Sequence, residues 1–331
     1  MSATELAGID TGPTRDTLTI DDLHASAERN KQWGRWGPDD EIGTLNNVTP
    51  AMIAQASRLI RKGKAFGLAM PFDSNGPHKS GPHSRRFNPI HVMLRSGVDC
   101  CAPNFKPMGV YGSDDMVTMP LQAATQWDAL AHIFYYDKMW NGYESINVTN
   151  LGATKCGIEK TRDKMVGRGV LLDLPRFLGL PWLPDGYGIS TAQLEACAAR
   201  QGVSVGAGDF LIVRTGQMER CNAAGDWGAY SGGDAPGLKF ETADWLRNKD
   251  IAAVATDTWG VEVRPNEIEN IIQPLHWVAI PMIGPTLGEM FRLKDLADDC
   301  AEDGVYEFFF CGASLPFTRA VGCPINPMAV K

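Results

Sequence analysis

Three short apolar runs in the second half of the chain constrain its fold most: residues 169–174 (GVLLDL), 209–215 (DFLIVRT) and 251–256 (IAAVAT). Each is too short for a helix and nearly continuous in its apolar character, the pattern of a strand covered on both faces. Helix signals fall between them. Ser190 opens a helix that runs to about Gln201, with Gln193 as its capping-box partner, and residues 242–248 read as a short helix. Residues 275–282 are apolar, and 306–311 (YEFFFC) read as a late strand. Strands alternating with helices predict an α/β core.

The first half is less regular. Residues 1–30 read as a polar N-terminal arm, with Pro13 and few apolar side chains, ahead of a single α/β domain over 31–331. Residues 33–40 (WGRWGPDD) form a glycine-rich loop holding Trp33 and Trp36, and Asn46-Asn47 marks a turn. Thr49 is placed to cap a helix with Pro50 in its first turn. Ile53, Ala56 and Ile60 would form its apolar stripe, and the helix should stop near Gly63. Residues 71–90, rich in Pro, Gly, Ser and His, read as an exposed loop or flap.

Charge and composition exclude several functions. Thirty-one basic against thirty-nine acidic residues give a formal charge of −8. Nucleic acid and anionic lipid both need a concentrated basic surface, so neither is expected as a partner. No run reaches the roughly 18–20 apolar residues that span a membrane, and residues 1–12 lack the apolar core of a signal peptide. The eight cysteines show no C-x-x-C spacing, which leaves a thiolate zinc site unsupported. They read as reduced thiols of a cytoplasmic protein, and the expected partner is a small-molecule substrate.

The six histidines are His24, His78, His83, His91, His132 and His276. His78 and His83 read as solvated loop residues, and His24 carries no signal. The segment 122–132 (QAATQWDALAH) is chemically denser, with two amides, a carboxylate, an imidazole and a tryptophan in eleven residues. Asp128 and His132 would share a face on a helix, or converge on one point in a turn after a strand. Such a pair can ligate a metal together, or the carboxylate can orient the imidazole as a base. The plainer alternative is a turn-capping Asp128 and a buried, hydrogen-bonded His132. Trp33, Trp36 and Trp127 are aromatic candidates for a substrate wall, with core packing as the alternative.

This segment resembles the signature of the cyclase family that includes bacterial kynurenine formamidase and isatin hydrolase, His-x-Gly-Thr-His-x-Asp-x-Pro-x-His. Thr125, Asp128 and His132 match it. Gln122 and Gln126 stand where the signature has its first two histidines, and Leu130 stands at its proline. Further similarities follow in order: residues 208–216 (GDFLIVRTG), Pro236-Gly237-Leu238 with the helix after it, Ala255-Thr256-Asp257-Thr258, His276, and the segment beginning at Glu289 (EMFRLKDL). They cover roughly residues 33–312.

The resemblance implies a mixed central β-sheet or partial barrel flanked by helices, the swivelling β/β/α-like arrangement, and a homodimer or homotetramer. It implies a metal-dependent hydrolase acting on amide, cyclic amide, ester or lactone bonds. It places metal ligands at Gln122, Gln126, Asp128, His276 and Glu289, and a general acid/base at His132. The implied cofactor is a divalent metal, Mn²⁺ or Zn²⁺, with Mg²⁺ or none as alternatives. An amide oxygen is a neutral, hard donor, so two glutamines suit Mn²⁺, Mg²⁺ or Ca²⁺ better than Zn²⁺. A metal-free lyase or cyclase, and a catalytically silent binding protein, are the rival readings. Away from the resemblance, Glu289 would be a helix-start carboxylate and His276 a core histidine beside Trp277.

Overall fold

The computed structural model describes residues 18–79, 85–101 and 111–331, with the Cys100 side chain left aside. Besides four two-residue strands, the described strands are β1 (Ala65–Gly67), β2 (Ile90–Arg95), β3 (Asp114–Thr118), β4 (Gln126–Asp128), β5 (Val166–Asp173), β6 (Phe210–Arg214), β7 (Ala253–Thr256), β8 (Thr286–Glu289), β9 (Glu307–Cys311), β10 (Gly322–Pro324) and β11 (Met328–Val330). Nine of these form one mixed, curled sheet, ordered β1-β11-β9-β5-β6-β7-β8-β4-β10. Its centre, β5-β6-β7-β8, is parallel, which is why the apolar runs there are near-continuous. The flanking pairs β8-β4, β4-β10 and β9-β5 are antiparallel.

Successive residues of these strands feed two cores. Val170, Leu172, Leu211, Val213, Val254 and Leu287 face one side, while Leu171, Phe210, Ile212, Ala253 and Ala255 face the other. Period-two alternation thus persists, with both faces apolar. Gly169 of β5 is paired with Phe308 of β9, and a Cβ at Gly169 would lie 2.2 Å from the Phe308 ring. Both positions are buried in the sheet, so Gly169→Ala should cost about 1–3 kcal/mol through overpacking. Thermal unfolding of the variant measures this, and an unchanged Tm would show that the ring moves aside freely.

The helices include α1 (Ile20–Asn30), α2 (Pro50–Ala56), α3 (Thr191–Gln201), α4 (Gln217–Ala224), α5 (Thr242–Lys249), α6 (Pro274–Val278) and α7 (Lys294–Asp303). Both hydrogen bonds of the Ser190/Gln193 capping box are present, and Thr49 caps α2 through the Met52 backbone N–H. α2 is shorter than expected, because the chain tightens into a 3₁₀ turn at Ser57–Leu59. Ala56 is buried but Ile60 is exposed. The lead-in also differs from its reading: α1 buries Leu23, Ser26, Ala27 and Asn30, and Asn30 Nδ2 donates to Asp244 of α5 at 2.5 Å. Residues 90–118 include a β2-β3 hairpin exposed along both strands. The seven described cysteines are free thiols. No described helix is long and apolar enough to cross a membrane.

Candidate active site

The site forms where β4 meets β8. In their antiparallel register Gln126 lies opposite Glu289, and Asp128 opposite Leu287. Cross-strand partners share a face and alternate residues return to it, so Gln126, Asp128 and Glu289 project to the same side. Trp127 must then point the other way, and it does. It is buried against Phe291 and Phe310, with its Nε1 donating to the Gly312 carbonyl at 2.7 Å. Trp127 is therefore a core residue, not a substrate wall.

His276 arrives from α6. Its Nδ1 lies 2.5 Å from Glu262 Oε1, and its Nε2 lies 3.4 Å from Glu289 Oε1. Ligand atoms of Asp128, His276 and Glu289 all fall within 4.8 Å of one another. Burial alone would lower the His276 pKa, but hydrogen bonds to Glu262 and Glu289 outweigh it and push it up to about 10. Glu289 goes the opposite way for an acid. Burial, then the Asp128 charge, push its carboxyl up to about 7, although His276 pulls downward. Two buried carboxylates side by side call for a cation.

Gln126 sits between them. Its Nε2 donates to Glu289 Oε2 at 2.8 Å and to Asp128 Oδ1 at 3.2 Å, while its Oε1 is buried with no hydrogen-bond partner among the described residues. A half-turn of the amide would present Oε1 to the cluster in place of Nε2. The donor set of two carboxylates, one imidazole and one orphaned amide oxygen therefore fits a divalent cation. Gln122 lies against the neighbouring strand β10. Its Nε2 would lie 2.8 Å from a Cβ on Gly322, a residue paired with Asp128.

His132 lies in the turn after β4, not on a helix, and its Nε2 is 3.8 Å from Asp128 Oδ1 with 20% of its side chain exposed. Its pKa falls below the ordinary 6.5. Burial is the main cause, the Arg86 and His276 charges add to it, and Asp128 opposes it.

Glu289 closes β8 and does not begin a helix. Trp33 and Trp36 lie elsewhere: Trp33 Nε1 donates to the Pro281 carbonyl at 2.6 Å and Trp36 packs on Trp140, both outside the cluster. His78 is buried rather than solvated, with Nδ1 3.0 Å from Ser231 Oγ. Burial, aided by Arg86, pushes its pKa down to about 4. His24 Nδ1 lies 2.6 Å from the Tyr135 hydroxyl, and His83 lies outside the described residues.

Other recognised segments hold the frame. Asp257 accepts from the Thr215 and Gly216 backbone N–H groups and from Thr215 Oγ1 at 2.6–2.8 Å, tying the ends of β6 and β7 together. Arg214 pairs with the buried Asp173 at 2.7 Å. Glu262, which holds His276, was not foreseen; nothing in its local sequence marks it, since the partnership is tertiary. Gln273, whose Nε2 lies 3.4 Å from His276 Nε2, was missed for the same reason.

A family model described as a putative cyclase matches residues 49–263. A crystal structure described as a novel cyclase is 38% identical, covering 91% of this chain and 99% of its own, with a TM-score of 0.83. Isatin hydrolase A from Ralstonia solanacearum is 16% identical over 85% of this chain and 98% of its own, with a TM-score of 0.63. An isatin hydrolase bound to the product analogue thioisatinate is 15% identical over the same shares, with a TM-score of 0.60. At those identities the two hydrolases speak for the fold. A search of curated proteins found no match. The family model spans well over half of the chain, and the 38%-identical structure covers 91% of it; the chain belongs to the cyclase family.

Proposed function

We propose that this protein is a divalent-metal-dependent hydrolase that opens a cyclic amide, imide or lactone, or cleaves an N-formyl-type amide. The convergence of Asp128, His276 and Glu289 within 4.8 Å, beside the His132 imidazole, carries this reading. Asp128, His276 and Glu289 would hold the metal, with the Gln126 amide oxygen as a neutral donor and Gln122 alongside. When bound, such a cation supplies Lewis acidity to a carbonyl oxygen and to water.

The side chains handle the proton. His132, its pKa depressed mainly by burial, is neutral at pH 7 and can accept a proton from water. The imidazolium so formed faces the Asp128 carboxylate, which holds the charge until the proton passes to the leaving nitrogen or oxygen. Glu262 fixes His276 through Nδ1 and leaves Nε2 toward the cluster, the usual outer-shell support for a metal-binding histidine. Glu262→Gln should therefore weaken Mn²⁺ binding by roughly tenfold to hundredfold in a calorimetric titration. Unchanged affinity would free Glu262 of that role.

Elemental analysis and a turnover panel test the whole reading. The protein should carry a divalent cation. Hydrolysis of isatin, a γ-lactone, a cyclic imide or an N-formyl anilide should stop on chelation and return on adding the metal back. Full turnover in the chelated protein would overturn it. That outcome would favour a metal-free lyase or cyclase, a second reading supported by the Gln126 amide already bridging both carboxylates.

A further inference from the structure

A cleft of about 930 Å³ lies next to the cluster, and the mechanism above leaves its side chains unused. Although the chain carries a net charge of −8, the described lining includes Lys79, Arg85 and Arg86 and no carboxylate. Its aromatic wall is Trp259, flanked by two guanidinium groups: Arg86 lies 5.5 Å and Arg264 5.4 Å from the indole centroid. The Trp259 Nε1 is buried and has no hydrogen-bond partner among the described residues. A buried donor left unsatisfied is costly, so an acceptor brought by a ligand would be favoured there.

The cleft adjoins the catalytic residues. Arg86 Nη1 donates to the Gln122 carbonyl at 3.4 Å, and its charge is felt at both His132 and Glu289. Gly260, next to Trp259, is close enough to the cluster that a Cβ there would sit 3.8 Å from Glu289 Oε1. The site is thus polar along its length, with carboxylates at one end and cations with an indole N–H at the other.

We infer that this cleft is the specificity subsite of the active site, and that it takes a carboxylate carried on an aromatic or other planar substrate. The inference rests on reading the cluster as the catalytic centre. A carboxylate on the substrate would be drawn to Arg86 at the far end of the cleft, which leaves the neutral, scissile bond facing the cluster. Trp259 supplies a ring face for the planar part and an N–H for the anionic part.

Calorimetry on the full chain with benzoate and with benzamide, its neutral isostere, tests this. Benzoate should bind roughly tenfold more tightly or better, the scale of one charge-assisted hydrogen bond. Arg86→Gln should erase the preference and Arg86→Lys should keep part of it. Trp259→Phe, which retains a ring but loses the donor, should weaken benzoate severalfold. Benzamide matching benzoate, or a preference that survives in folded Arg86→Gln, would overturn the inference. If that variant does not fold, added salt on the native protein replaces it: a preference unaffected by salt counts against the subsite. Binding does not require turnover. A benzoate preference intact in a protein that hydrolyses nothing would reject the hydrolase reading and leave the subsite standing.

Discussion

His132→Ala should lower kcat by a hundredfold or more, with the Tm little changed. General acid–base catalysis is worth about 10²–10⁴ in rate, and a hundredfold corresponds to about 3 kcal/mol of barrier. The side chain is partly exposed, at the turn after β4, so truncation leaves no sealed core cavity. The pH profile gives a second readout. The neutral imidazole is the active base, and its pKa lies below 6.5. Turnover should therefore rise on an acidic limb below pH 6.5 and be level by neutrality, and this limb should be missing from any residual activity of the variant. Near-native kcat in His132→Ala would remove this residue from the chemistry.

Glu289→Gln should abolish metal uptake and turnover yet stabilise the chelated protein. An unfolded glutamate titrates near 4.5, whereas burial and the adjacent Asp128 raise the folded value to about 7. A raised folded pKa means that the group's stabilising contribution is complete below pH 4.5 and is lost as the pH climbs through about 7. Above that, the metal-free fold carries an ionised, poorly compensated carboxylate at a cost on the order of a few kcal/mol. Glutamine removes the charge and keeps an oxygen to accept from Gln126 Nε2. Thermal scans of the chelated variant should thus show a higher Tm above pH 7 and no gain near pH 4.5. A Tm lowered at every pH would mean that Glu289 contributes more through its His276 contact than it costs.

Much of this was legible in the chain, for identifiable reasons. The parallel strands announce themselves because burial on both faces demands continuous apolar runs, and the caps at Thr49 and Ser190 are local chemistry confirmed bond for bond. The pairing of Asp128 with His132 could be read from their spacing, as convergence in a turn after a strand, whereas their meeting with His276 and Glu289 followed only from the family's ordered pattern. What escaped notice is tertiary. Trp127 looked like a binding-site aromatic only because β4 was not assigned as a strand; once it is, its flanking neighbours fix it on the opposite face. α1 was hidden by its composition, since two of its buried residues, Ser26 and Asn30, are polar and satisfied by hydrogen bonds. His78 gave no warning of burial, as its flanking Pro, Gly and Ser carry no periodicity.

The strand pair that carries the cluster joins residues 163 positions apart, Gln126 and Glu289. Contacts across so long a loop are slow to form, because chain entropy is lost before the contact returns anything. Late formation of this pair in folding is the expected order, so that Asp128 and Glu289 would be brought side by side only on a sheet whose neighbouring strands are already set.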